Sequence, residues 1–184
     1  MYCRSRKQLP GNRYLNMRKK LFIALVFLNF LAIKATFAQK TLDVLLKQFN
    51  DDTIPYISVD SLQTQAASFY ILDAREPGEY KVSHLKNAVF VGYNSFDKKK
   101  LSKILTDKSK PVAVYCSLGI RSHKIAKKIK EQGYHKVYNV YGGIFQWKNS
   151  GYTVVDLNNK ETNKIHAYSR LWGVYLTRGE KIYE

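Results

Sequence analysis

Cysteine is nearly absent from this sequence: 184 residues hold two, Cys3 and Cys116. That excludes the disulfide framework that staples many small secreted domains. Proline is scarce as well, at four residues, and no internal repeat or low-complexity linker interrupts the chain. No apolar run reaches the ~20 residues that a membrane-spanning helix requires; the longest, Leu21 to Ile33, stops well short. Acidic residues number 14 against 31 Lys and Arg, a formal charge of +17. Hydrophobic residues make up 45%, which excludes bulk disorder and supplies one domain's core, while the length leaves no room for two sizeable domains.

A charge of this size first suggests a nucleic acid or a membrane surface as partner. Its distribution argues otherwise. Residues 1–38 contain eight of the basic residues and no acid, and what remains is spread over Lys98, Lys99, Lys100, Lys124, Lys127, Lys128, Lys130 and isolated sites. No basic-aromatic tract stands out, so no nucleic-acid partner is expected. The first 38 residues have their own logic. Met17-Arg18-Lys19-Lys20 is a basic start, Leu21 to Ile33 an apolar stretch, and Thr36 and Ala38 occupy the two small positions before Gln39. These are the three parts of a secretory signal cut after Ala38. The expectation is a leader over 1–38 with its true start at Met17, an exported, periplasmic protein, a membrane contact only through the leader, and a mature chain with Cys116 as its only thiol.

Beyond the leader, the pattern predicts a domain over 39–156. A helix over 41–50 sets Leu42, Leu45, Leu46 and Phe49 on one stripe. Tyr56 to Val59 reads as a short strand, with Asp60 and Ser61 capping a helix over 62–67. Phe69 to Asp73, Val89 to Val91, Pro111 to Tyr115 and Val137 to Val140 read as buried strands. Between them lie helices over 95–106, with Phe96, Leu101, Ile104 and Leu105 inward, and over 121–132, ended by Gly133. Gly142 and Gly143 open a last short helix carrying Phe145 and Trp147, and Tyr152 to Val155 closes the domain. Strands alternating with helices imply a three-layer α/β/α fold, a doubly wound and mainly parallel sheet of about five strands. Residues 157–184 form an aromatic tail that either folds back on the domain or serves a partner.

Cys116 stands where a buried strand ends and a helix begins, the position at which open α/β sheets bind ligands. The residues up to Arg121 are small or flexible enough for the backbone to curl with its N–H groups converging. Such an array at a helix start attracts anions and stabilises a thiolate. Arg121 adds a planar positive fork suited to a sulfate-like group. The plainer reading of Cys116 is a buried structural thiol; the strand-end position and the following Gly119 and Arg121 argue against it. For Lys124, Lys127 and Lys128 the plainer reading, a solvated helix face, is the better one.

Taken together, three segments resemble the rhodanese-like family. Cys116-Ser117-Leu118-Gly119-Ile120-Arg121-Ser122 is similar to its active-site loop; Leu72-Asp73-Ala74-Arg75-Glu76, Glu79-Tyr80 and Ser83-His84-Leu85-Lys86-Asn87-Ala88 resemble an upstream segment; Gly142-Gly143 with Trp147 resembles a downstream one. They lie in the family's order across about residues 55–155. Ser83 and Asn87 depart from it, each standing where the family has glycine.

The resemblance implies sulfur transfer. Cys116 would be the nucleophile that carries sulfane sulfur as a persulfide, and residues 117–122 would bind a small anionic donor such as thiosulfate or a persulfide. A thiol or cyanide, or a protein acceptor, would take the sulfur, with no metal or organic cofactor. The six-residue loop Cys116 to Arg121 is the sulfurtransferase length; related dual-specificity phosphatases use one residue more. The alternatives are a carrier that delivers the persulfide to a partner and, third, a phosphatase or arsenate-handling protein. Asp73 and Arg75 are expected to support the site, Asp73 capping N–H groups and Arg75 pairing with Glu76 or Glu79; acid–base work is the weaker alternative. His84 is expected to be a hydrogen-bonding turn residue, and Trp147 core.

Overall fold

The architecture comes from a computed structural model, which describes residues 17–26 and 41–183. The chain divides into two units, Met1–Asp43 and Val44–Glu184. In the first, residues 17–26 are helical and their apolar side chains, Leu21 and Phe22 among them, are exposed. Among the described residues no helix is long and apolar enough to cross a membrane. The expected cut after Ala38 and most of the apolar stretch before it lie outside the described residues.

The second unit is organised on five parallel strands: β1 (Tyr56–Ile57), β2 (Tyr70–Asp73), β3 (Val89–Phe90), β4 (Val112–Tyr115) and β5 (Val137–Val140). Their order across the sheet is β1-β5-β4-β2-β3, the doubly wound parallel arrangement expected from the strand–helix alternation. β4 is buried at every position, as a central strand covered on both faces must be. The helices are α1 (residues 41–49), α2 (Val59–Gln65), α3 (Pro77–Val82), α4 (Lys98–Ile104), α5 (Ile120–Lys130) and α6 (Gly143–Asn149). Leu101 and Leu105 with Ile125, Ala126 and Ile129 form one core with Leu72, Val112 and Val114. The alternate strand positions Ile71, Ala113 and Tyr115 are buried outside that cluster, as the two-residue period of a strand requires.

Local expectations were displaced in four places. Phe49 is 49% exposed and does not extend the buried stripe that Leu46 occupies. Ser58, rather than Asp60 or Ser61, caps α2: its hydroxyl accepts the N–H of Ser61 at 3.1 Å, which draws Val59 into the helix. α4 starts late because Asp97 caps it, accepting from the N–H groups of Lys99 and Lys100. Val154–Val155 (β6) does not join the main sheet. It pairs antiparallel with Glu161–Thr162 (β7) and bridges to His84.

The tail folds back. Lys164–His166 (β8) runs parallel to Glu180–Ile182 (β9), with a 3-10 turn at Trp172–Tyr175 between them. Ile165, Ala167 and Leu176 are fully buried. The Asn149 amide clamps the return, donating to the Tyr175 carbonyl at 2.8 Å and accepting from the Thr177 N–H at 2.7 Å.

Candidate functional site

The strand order reverses between β2 and β4: after β2 the chain moves to β3, and after β4 it moves to β5. Their carboxyl ends, Asp73 and Tyr115, are paired neighbours, so the connections diverge and leave a crevice of the kind where α/β proteins bind ligands. Cys116 is the first residue beyond β4. The loop from Cys116 to Gly119 turns at Gly119, whose φ of 112° lies in the left-handed region that favours glycine, and α5 begins at once.

Cys116 is 2% exposed. Its Sγ accepts the N–H of Gly119 at 3.1 Å and faces the Ser122 hydroxyl at 3.4 Å. Ser122 in turn donates to the Asn139 side chain at 2.7 Å, and the Asn139 amide holds the Gly119 carbonyl at 2.7 Å. Burial pushes the thiol up. The Arg121 charge, the Ser122 hydroxyl and the N–H groups of Ser122 and Gly119 outweigh it, and leave Cys116 below the ordinary thiol range. The loop's carbonyls are drawn the other way: the N–H of Ile144 donates to Cys116 O at 2.9 Å and that of Phe145 to Ser117 O at 3.2 Å. This is why the Gly-Gly pair is needed. A Cβ on Gly143 would lie 2.2 Å from Cys116 O and 2.8 Å from Ser117, so only glycine lets the start of α6 reach the loop.

Arg121 does not present a free fork. Its two terminal nitrogens donate to the Glu79 carboxylate at 2.6 and 2.7 Å, and one also reaches the Ser117 hydroxyl at 3.0 Å. Ser117 donates to the same carboxylate at 2.8 Å. Burial pushes the Glu79 carboxyl up, but Arg121 prevails and holds it below its ordinary value, so the pair is ionised and locally neutral. The expected partner of Arg75 is corrected by this. Glu79 is taken by Arg121, Glu76 turns to Asn94, and Arg75 pairs with Asp73 at 2.6 Å, both fully buried. Asp73 also accepts from the Tyr115 hydroxyl at 2.6 Å, and Arg75 donates to the Ser83 carbonyl at 2.6 Å. Asp73 and Arg75 therefore tie the end of β2 to β4 and to the turn after α3. His84 is held by other partners. Its backbone bridges to Val155, and its ring stacks on Tyr80 at 4.0 Å. Trp147 is buried, its indole N–H donating to the Thr153 carbonyl.

The two departures at glycine positions have separate explanations. Asn87 has φ 63°, the left-handed conformation that Asn tolerates best after glycine. Ser83 is extended, with φ −171°, and needs no glycine. Its hydroxyl donates to the Lys164 carbonyl at 2.6 Å and so anchors the tail.

That tail supplies the residues sequence reasoning did not place. A cavity of about 160 Å³ opens at Cys116, walled by Ser117, Leu118, Ile120 and Arg121 from the loop and by Tyr168 and Trp172 from the tail. Tyr168, with φ 63°, lies under the Arg121 guanidinium at 4.7 Å. The aromatic composition of residues 165–176 marked the segment, and Ser83 was the one local sign of where it docks. None of the α5 lysines lines the cavity; Lys127 pairs with Asp51 at 2.6 Å.

Residues 58–150 match the family model of the rhodanese-like domain. The thiosulfate sulfurtransferase GlpE of Coxiella burnetii is 38% identical over 78 residues, 42% of this chain and 70% of that protein. A tRNA uridine(34) hydroxylase of Hamiltonella defensa is 34% identical over 79 residues, 41% of this chain and 22% of that one. Among solved structures, the thiosulfate sulfurtransferase of Pseudomonas aeruginosa shares the fold with a TM-score of 0.54 at 16% identity, over 76% of this chain and 26% of its own. The BH2092 protein of Bacillus halodurans does so with a TM-score of 0.51 at 20% identity, over 64% and 85%.

Proposed function

The chain belongs to the rhodanese-like domain family, and from that premise we propose that it is a sulfurtransferase acting through Cys116. The observation that carries the reading is the thiol itself, held by the Gly119 N–H at 3.1 Å and shifted toward the thiolate at the head of the loop. The thiolate attacks the outer sulfur of thiosulfate or of a persulfide. A Cys116 S–S bond forms, the donor's S–S bond breaks, and sulfite or the parent thiolate leaves with the electron pair. A thiol or cyanide then takes the terminal sulfur and releases the Cys116 thiolate. The first-turn N–H groups of α5, which have no acceptor inside the helix, face the negative charge that passes along this path. Export through the N-terminal segment belongs to the same proposal.

Intact-mass spectrometry after incubation with thiosulfate tests it. The expected product is heavier by ~32 Da, one sulfur, and is absent from Cys116→Ser. A persulfide that forms but is not passed to cyanide or small thiols assigns the chain to sulfur delivery to a protein instead. The absence of any adduct from every donor overturns the proposal.

A further inference from the structure

A second cavity lies between the end of α6 and the returning tail, which runs as a strap from β7 to β9. Its volume is about 580 Å³, and Lys148, Gly151, Asn163, Arg178, Gly179 and Glu180 line it. That size falls within the ~300–1,000 Å³ of small-molecule sites, but this wall is polar. Lys148 is 9% exposed, and a lysine so buried is normally paired with an acid. Here its ammonium donates to the neutral Asn163 side chain at 2.8 Å. Among the described residues neither Lys148 nor Arg178 takes part in an ion pair. Two cations against the single carboxylate of Glu180 leave the wall with a net positive charge. Capping of α6 does not account for them. The carbonyls of Gln146, Trp147 and Lys148 are already taken by the N–H groups of Ser150, Tyr152 and Gly151.

The hydrogen bonds that fasten the tail also hold this wall in shape. The Arg178 N–H donates to the Asn149 side chain at 3.2 Å, and the Glu180 N–H to the Asn163 carbonyl at 2.8 Å. A Cβ on Gly151 would lie 3.1 Å from a terminal nitrogen of Arg178, and one on Gly179 would lie 3.4 Å from Cε of Lys148. A glycine therefore stands against each cation where a side chain would crowd it. We propose that this cavity is a second binding site, for a small polar organic anion whose phosphate or carboxylate head lies between Lys148 and Arg178. A guanidinium fork beside an ammonium suits such an oxyanion, and the head supplies the countercharge that Lys148 lacks. Hydroxyl groups on the rest of the ligand face the Glu180 carboxylate. Touching α6 on one side and the strap on the other, the bound anion joins the two. The site shares no lining residue with the cavity at Cys116 and does not rest on the sulfurtransferase reading.

Calorimetric titration of the protein with glycerol phosphate, citrate and uncharged glycerol tests this. At least one of the two anions binds, and glycerol does not. Tighter glycerol phosphate assigns a phosphate head, tighter citrate a carboxylate one. Arg178→Gln, at an exposed side chain, weakens that binding about tenfold or more, the contribution of a hydrogen bond to a charged group. Lys181→Gln removes an equal charge from β9 at an exposed side chain that does not line the cavity, and leaves the affinity within about twofold. Under titration with the tighter anion, the amide NMR shifts are largest at Gly151 and Gly179. Binding of neither anion, equal weakening by the two variants, or shifts centred on Gly119 and Ile120 at the Cys116 loop each overturn the inference. Cys116→Ser, which removes the proposed nucleophile, leaves the affinity unchanged, so that the failure of one reading is seen independently of the other.

Discussion

Glu79 decides how the loop presents Cys116. Its carboxylate orients Arg121 and Ser117 together, and the guanidinium so held is the largest of the influences lowering the thiol. Removing one partner of a buried pair leaves the other uncompensated, so Glu79→Gln is expected to cost about 3 kcal/mol in denaturant unfolding. Folding holds the Glu79 carboxyl below its ordinary value, so the unfolded chain takes up the proton first as pH falls. The stability the group lends is complete above the ordinary carboxylate range and is lost as the pH drops through that range toward the folded value. Acid titration of unfolding should therefore be shallower in Glu79→Gln than in the wild type; superimposable slopes would show that Glu79 lends nothing. At the same scale, Asp73 and Arg75 were expected to support the site, but the sequence did not give their partners. A motif gives neighbours in sequence, and the choice among Asp73, Glu76 and Glu79 is made by which carboxylate the fold brings within reach.

Two elements position the loop, and both can be tested. The start of α6 fixes the loop carbonyls through Ile144 and Phe145. Gly143→Ala places a Cβ against Cys116 O at a residue with φ 56°, which should cost about 2 kcal/mol or more and slow persulfide formation at least tenfold; melting curves and single-turnover mass shifts read the two effects. β8 is the other element. Ser83→Ala removes the hydroxyl on the Lys164 carbonyl, with an expected loss of about 1 kcal/mol and faster amide exchange over residues 164–166. Unchanged exchange there would show that the hydroxyl does not hold the strap. The five strands of the main sheet and the helices α1, α2, α4, α5 and α6 were readable to within a few residues, whereas the short α3 (Pro77–Val82) and the tail strands β7 to β9 were not expected. Among the elements that were read, caps moved two boundaries: Ser58 and Asp97 shifted the starts of α2 and α4 because a side-chain acceptor for orphan N–H groups overrides the apolar pattern.

For the whole molecule, the proposed export makes a prediction that needs no activity. If Ala38 is the last residue of a signal, the protein recovered from the extracytoplasmic fraction starts at Gln39, and N-terminal sequencing or intact mass reads this directly; a chain that keeps residues 17–38 there overturns it. Loss of residues 1–38 also removes eight basic residues and no acid, and leaves the remaining chain less basic than the whole at +17.

By itself the sequence determined the doubly wound α/β fold, the place of Cys116 at the end of a buried strand, and the membership of its loop in a known pattern. Each of these follows from local periodicity or from residues adjacent in the chain: continuous apolar strands, a glycine where φ is positive, a thiol at a helix start. Only the tertiary structure decided that Arg121 is spent on Glu79, 42 positions away, that Ser83 is a fastening rather than a lapse from the pattern, and that Tyr168 and Trp172 wall the cavity at Cys116. These are contacts between segments far apart in the chain. Their energies come from burying apolar surface and pairing charge after the chain has closed on itself, and no spacing within one segment encodes them.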